Sequence, residues 1–162
     1  MNKLLQVAAV LTLAGCVANG MEARAPLEAD LTPQQIVAAR QAAFRLSGAA
    51  MGYMKAAIDE GRDVTGQAYA AGGVARWAQA LPTMFPDSTR TITPTRARPE
   101  IFANRADFAA KAAAYAYAAE RLAEIAQSGN RDAFAAQFRA TAATCAACHE
   151  RYQLPAHPPP ES

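Results

Sequence analysis

Near its C-terminus the chain reads Cys145-Ala146-Ala147-Cys148-His149, and whatever fold it adopts must accommodate what those five residues attract. C-x-x-C-H is the attachment pattern of a c-type haem. Each thiol can add across a porphyrin vinyl group to give a thioether, and the His that follows is close enough to bind the iron through an imidazole nitrogen. Cys145 and Cys148 are therefore the candidate thioether ligands and His149 the candidate axial ligand of one covalently attached haem c per chain. The plainer readings of C-x-x-C are a redox dithiol, half of a zinc site, or a disulfide. Zinc would need two more ligands, and the remaining candidates are Cys16 at the far end and His157 in a Pro-rich tail, which reads as solvated. A thioredoxin-like dithiol would follow a strand, and no strand pattern precedes it. A disulfide three residues apart on a helix would close a tiny loop and restrain little.

The other end of the chain bears on compartment. Met1-Asn2-Lys3 and the apolar run Leu4 to Ala14 form a short basic segment and a hydrophobic segment, too short to span a bilayer as a mature helix. Residues 1–15 read as a signal peptide directing export to the periplasm. Leu13-Ala14-Gly15-Cys16 resembles the lipobox of bacterial lipoproteins, in which the Cys becomes the lipidated N-terminus. Val17 follows it rather than Asp, the pattern that favours the outer membrane. Cys16 is thus a candidate lipid anchor, holding the protein by acyl chains rather than by a helix; the alternative is ordinary cleavage that removes Cys16 and leaves a soluble periplasmic protein. The whole chain carries a formal charge of +2. Loss of Lys3 with the signal lowers this by one, and two haem propionates would bring it to about −1. No basic face for nucleic acid is present. Aromatic residues are sparse at 7% and Ala is abundant, which suits closely packed helices around a large prosthetic group better than a β fold.

Residues 16–31 are a polar tether without periodicity. Thr32-Pro33-Gln34-Gln35 then places an N-cap Thr, a Pro at the first helical position and Gln at the third, a capping box. Val37, Phe44, Met51 and Ile58 follow at sevens, with Arg40, Ser47 and Met54 between them, and Gly61 is a stop. A second helix is expected from about Thr65 to Leu81, with Ala70, Val74, Trp77 and Leu81 on one face and Pro82 ending it. Gly72-Gly73 weakens its middle, and close approach of a neighbour would account for the pair. Residues 82–103 are a long Pro-, Thr- and Arg-rich connection. A third helix spans about Asn104 to Gln127 on Phe108, Ala112, Tyr115, Ala119, Leu122 and Ala126. Gly129 caps it and Asn130 opens a fourth, on which Phe134, Phe138, Thr141, Cys145, Cys148 and Tyr152 share a stripe. The expected fold is all-α, an antiparallel four-helix bundle over residues 32–154 with covalently bound haem inside one end, followed by a disordered Pro-rich tail over 155–162.

These residues resemble class II cytochromes c, and within them the cytochrome c′ family. The resemblance rests on C-x-x-C-H in the last helix, Arg40-Gln41-Ala42-Ala43-Phe44 in the first, Leu81-Pro82 with Phe85 and Ser88, and Arg98-Pro99-Glu100-Ile101-Phe102 before the third. It covers the chain from about Leu31 to Gln153. It implies that Cys145 and Cys148 carry the thioethers, that His149 is axial, and that Arg40 contacts a haem propionate. An Arg within an apolar stripe independently calls for an anionic partner, because an unpaired buried charge is costly; at the stripe's edge it would instead snorkel to water.

The resemblance makes Phe44 decisive. Low-spin members place a Met there as sixth ligand, whereas cytochromes c′ place an apolar residue. A phenyl ring offers iron no lone pair, which implies a five-coordinate, high-spin haem with Phe44 as a lid on the distal face. The expected function is binding of nitric oxide and carbon monoxide together with one-electron cycling with redox partner proteins, in electron transfer and protection against nitrosative stress. The alternative is a low-spin, six-coordinate electron carrier with Met51 as sixth ligand. No distal His or Arg pair is placed to cleave a peroxide bond, so the chain reads as a non-enzyme. Family members commonly carry an Arg four residues after the haem His; here that position is Gln153. A homodimer is common in the family the chain resembles, often through the first two helices; Arg45, Tyr53, Arg62 and Tyr69, off the main stripe, could serve as its surface, and solvated faces explain them equally well.

Overall fold

The computed structural model describes residues 30–155, so the signal segment, Cys16, most of the tether, His157 and the tail beyond Pro155 lie outside the described residues. Helix α1 runs Pro33–Asp59. Its capping box forms as the sequence predicts: Gln35 N donates to Thr32 Oγ1 at 3.2 Å, and Thr32 N donates to Gln35 Oε1 at 2.8 Å. After its C-cap at Glu60 the chain turns on Gly61 at φ +67°, a conformation that costs a residue without a Cβ little.

Helix α2 runs Ala68–Ala80. It begins three residues later than the periodicity suggests, because Thr65–Gln67 is a 3₁₀ turn. Pro82 does not stop the chain from coiling. Leu81–Met84 continues as a 3₁₀ turn with Pro82 near its start, where a missing N–H costs nothing. The close approach expected at Gly72-Gly73 is absent: a Cβ on either would meet no atom within 4 Å.

The crossover holds a second 3₁₀ turn at Asp87–Thr89, and a one-turn helix, α3, spans Glu100–Ala103. That short helix was not legible in a segment dominated by Pro, Thr and Arg. Helix α4 runs Arg105–Ser128, ending on Gly129 at φ +71°, and α5 runs Arg131–Tyr152 from an Asn130 N-cap whose Oδ1 accepts from Ala133 N at 3.0 Å.

The four long helices form an antiparallel bundle. Helix α4 packs along both α2 and α5, and α1 packs against α2, while α1 and α5 barely touch. All six residues of the expected α4 stripe are buried, with Ala119, Leu122 and Ala126 fully so. Around them Met54, Val74, Leu81, Ile101 and Phe134 complete the core. Phe85, Phe108 and Tyr152 stack edge-to-face in series at 5.1 and 5.4 Å between centroids. Where α1 parts from α5, the bundle opens.

Candidate functional site

The opening between α1 and α5 is a cleft of about 770 Å³, within the ~300–1,000 Å³ range of cofactor sites. All of Arg40, Phe44, Met51, Cys145, Cys148 and His149 line it. Two residues 109 positions apart in the chain, Arg40 and His149, thus come to one space. Gly48 and Gly52 lie on the same wall of α1, and a Cβ on either would meet no atom within 4 Å, so this face is kept low. The apolar stripe of α1 therefore divides: Val37, Met54 and Ala57 enter the core, whereas Phe44, Ser47 and Met51 face the cleft.

Cys145 and Cys148 sit one turn apart on α5 as free, half-buried thiols. Burial raises both their pKa values, so each is held as a neutral sulfur. His149 follows on the cleft side, its pKa lowered first by burial and then by the charge of Arg96. A neutral imidazole is the form that binds a metal. Among the described residues no group of three or more His, Cys, Asp or Glu side chains stands together to hold a metal ion, so the zinc reading has no ligand set there.

Phe44 is 38% exposed, and its ring meets Trp77 edge-to-face at 5.1 Å. Tyr115 of α4 closes part of the wall. Its hydroxyl hydrogen-bonds Ser47 Oγ at 3.0 Å, and burial pushes its pKa up to about 12.

Arg40 is only 2% exposed, which excludes the snorkelling reading. Its Nη1 donates to Met84 O at 3.2 Å and to Thr89 Oγ1 at 3.1 Å, and its Nη2 to Thr95 Oγ1 at 3.3 Å. The guanidinium carbon lies 4.3 Å from the Phe85 ring centroid. These partners are neutral, and burial lowers the Arg40 pKa. Among the described residues no carboxylate pairs with it.

The cleft's charge is one-sided. Among the described residues Arg40, Arg45, Lys55, Arg96 and Lys111 line it and no Asp or Glu does. Of these cations, among the described residues, Lys55 alone has a carboxylate partner, Asp59 Oδ2 at 2.5 Å. Sequence reading missed Gly48, Gly52, Tyr115, Arg96 and Lys111 as cleft residues. The small residues carried no chemical signal, and nothing in the crossover announces that Arg96 would reach the site.

Pro94 to Ala97 floor the cleft as a strap between its two walls. On the α1 side Gln41 Nε2 donates to Pro94 O at 2.8 Å. On the α5 side Ala97 pairs antiparallel with Gln153, Arg98 N donates to Tyr152 O at 2.9 Å, and Leu154 N donates to Arg96 O at 2.7 Å. Gln153 is thus engaged through its backbone with the crossover, and it also lines the cleft.

Comparison with known proteins decides the family. The family model described as Cytochrome C′ matches residues 35–153. The chain belongs to the cytochrome c′ family. The cytochrome c′ of Allochromatium vinosum is 31% identical over 146 residues, covering 88% of this chain and 94% of that protein. That of Pararhodospirillum photometricum is 28% identical over 123 residues, covering 75% and 98%. The crystal structure of cytochrome c′ from Thermochromatium tepidum superposes with a TM-score of 0.74 at 31% identity, over 78% of this chain and all of that one.

Family membership brings covalently bound haem c. The cleft fits that group on its own terms. Its size suits a porphyrin, its two neutral thiols and imidazole supply the attachment set, and its uncompensated cations suit a group bearing two carboxylates.

Proposed function

We propose that this chain holds haem c through thioethers at Cys145 and Cys148 and through His149 on the iron, leaving the sixth position under Phe44 for small neutral gases. The observation that carries this reading is the placement of Phe44, a side chain without a donor atom, in the cleft that the C-x-x-C-H residues line. Arg40 supports it from a second direction. A buried guanidinium with only neutral partners gains a counter-ion when a propionate enters. The haem supplies an iron centre that binds a diatomic ligand and exchanges one electron. The protein excludes water with Phe44, holds the propionate end with Arg40 and orients the imidazole from α5.

Relatives give the ligand class. Solved neighbours include a nitric oxide complex of a mutant cytochrome c′ from Alcaligenes xylosoxidans, 25% identical with a TM-score of 0.70, and a carbon monoxide-bound variant of that protein at 26% and 0.69. For this chain the ligands are accordingly nitric oxide and, in the ferrous state, carbon monoxide. The role is gas capture against nitrosative stress alongside electron exchange with redox partner proteins.

The test is the spectrum of the reduced holoprotein with and without carbon monoxide. A broad high-spin Soret band that sharpens and shifts on adding the gas is the expected result. Phe44→Met should turn the gas-free spectrum low-spin by supplying a thioether. Met51 favours the rival reading, since it lines the same cleft and carries a sulfur donor. A sharp wild-type spectrum, indifferent to carbon monoxide and made high-spin by Met51→Leu, would establish Met51 as sixth ligand and the protein as an electron carrier only.

The working place is the periplasm, with the mature chain anchored to the outer membrane through lipidated Cys16. Mass spectrometry of the mature N-terminus tests this: an unmodified residue beyond Cys16 would exclude the anchor. A homodimer would use the outer faces of α1 and α2, where Tyr53 and Tyr69 are 52% and 91% exposed and Arg62 lies over the Tyr53 ring at 5.4 Å. One solved relative, 30% identical with a TM-score of 0.74, is described as having an unusual ligand-controlled dimer dissociation. Sedimentation with and without carbon monoxide measures the dimer here.

A further inference from the structure

We propose that Arg96 is a positioning residue for the haem's redox balance: a fixed cation, delivered by the crossover to the His149 side of the cleft, that raises the reduction potential of the iron. The proposal rests on the reading of His149 as the axial ligand.

Three features together single out Arg96 among the cleft cations. Its charge has no carboxylate partner: both its hydrogen bonds, from Nε at 2.9 Å and from Nη2 at 2.7 Å, go to the neutral carbonyl of Leu154. Arg40 likewise has only neutral acceptors but is tied to the α1 side of the crossover, and Lys55 has its Asp59. Its position is fixed twice. The backbone is held by Leu154 N on Arg96 O at 2.7 Å and by the neighbouring Ala97–Gln153 bridge, and the side chain by its fork on Leu154 O. Its anchor is the segment that leaves α5 directly after the haem His, where Gln153 N donates to His149 O at 3.0 Å. Arg96 and His149 line the same cleft.

The physical consequence is electrostatic. Ferric iron carries one more positive charge than ferrous iron, so a nearby fixed cation disfavours the oxidised form. The effect is larger beside a low-dielectric pocket than in water. Because Arg96 is itself exposed, added salt should weaken it.

The experiment is mediated spectroelectrochemistry of the holoprotein, in which an electrode supplies the single electron that converts ferric to ferrous haem. Wild type is compared with Arg96→Gln, Arg96→Lys and Arg98→Gln. Arg98 is the structural control: its Nε donates to Gln153 O at 3.1 Å on the same strap, but it does not line the cleft. For Arg96→Gln the ferrous-to-ferric ratio at the wild-type midpoint should fall about three- to tenfold, tenfold being ~59 mV for one electron. That shift should shrink in ~1 M salt, where the screening length is about 3 Å. Arg96→Lys should keep most of the wild-type potential, and Arg98→Gln should move it much less than Arg96→Gln. An Arg96→Gln shift no larger than that of Arg98→Gln would overturn the proposal, as would a Lys variant displaced as far as the Gln variant. His149→Ala tests the underlying reading separately. An unchanged wild-type spectrum in that variant would remove the axial assignment, whatever the potentials show.

Discussion

Arg40 illustrates what one residue can hold together. Its guanidinium joins α1 to three points of the crossover, Met84 O, Thr89 Oγ1 and Thr95 Oγ1, and also covers the Phe85 ring. Truncation would leave three acceptors without their donor and a void beside Phe85. Arg40→Ala should therefore destabilise the holoprotein by about 2–4 kcal/mol, the range for breaking a buried charged network. Arg40→Lys should recover part of this, since an ammonium keeps the charge but not the fork. Urea unfolding followed by the haem band measures both, and a loss under about 0.5 kcal/mol for Arg40→Ala would mean that the contacts carry little. The sequence placed Arg40 within an apolar stripe and left it either paired with an anion or snorkelling at the edge; the structure buries it. Sequence alone could not show that neutral groups of the crossover would satisfy much of the guanidinium before any propionate arrives, because those partners lie 44 to 55 residues away.

At the scale of elements, two glycines of similar appearance in the sequence differ in what they do. Gly129 ends α4 in the left-handed region, and an added Cβ would also lie 3.3 Å from Thr65 Cγ2. Gly73 sits inside α2 with ordinary helical backbone and open space around it. Gly129→Ala should cost about 1 kcal/mol or more. Gly73→Ala should stabilise by roughly 0.5–1 kcal/mol, because Gly in a helix interior pays backbone entropy without return. Opposite shifts of the urea midpoint would confirm the pair, and a destabilising Gly73→Ala would reveal a neighbour on the outer face of α2. The long helices were legible because 3- and 4-residue spacing persists over many turns, and the caps at Thr32, Gly61, Gly129 and Asn130 fall where expected. The crossover was not legible. Its 3₁₀ turns, α3 and its pairing with the end of α5 depend on long-range partners, so no local period marks them.

For the whole molecule, the charged groups that join elements set a pH dependence. Asp87 takes hydrogen bonds from Arg105 and Arg90, Asp107 one from the Tyr152 hydroxyl at 2.5 Å, and Asp63 two from Thr65, through its hydroxyl and its backbone N–H; each carboxyl is held below its ordinary pKa. A carboxyl with a depressed folded pKa contributes stability above its unfolded value near 3.9 and loses it as pH falls through the folded value. Tyr115 titrates in the opposite sense: its pKa is raised to about 12, so its contribution is complete below its unfolded value near 10 and fades as pH climbs towards 12. Stability from these groups should be level between about pH 5 and 9, falling below about pH 4 and above about pH 10. Asp87→Asn with Asp107→Asn should flatten the acid arm, and Tyr115→Phe the alkaline one. Unfolding curves across pH decide this, and an acid arm unchanged in the double variant would assign it to other groups.

Local spacing by itself pointed to haem attachment at Cys145, Cys148 and His149 and marked the four long helices, because these follow from bonding reach and from helical period; the inward face held for α4, whereas α2 buries Ala71, Ala75 and Ala78 and leaves Ala70 and Trp77 half-buried. The tertiary structure alone decided that α1 and α5 part to leave a cleft, that Gly48 and Gly52 keep one wall low, and that the crossover runs back across the end of α5 to bring Arg96 into the cleft that His149 lines. Those outcomes depend on packing and hydrogen bonding between residues 40 to more than 100 positions apart, which no pattern within one helix encodes.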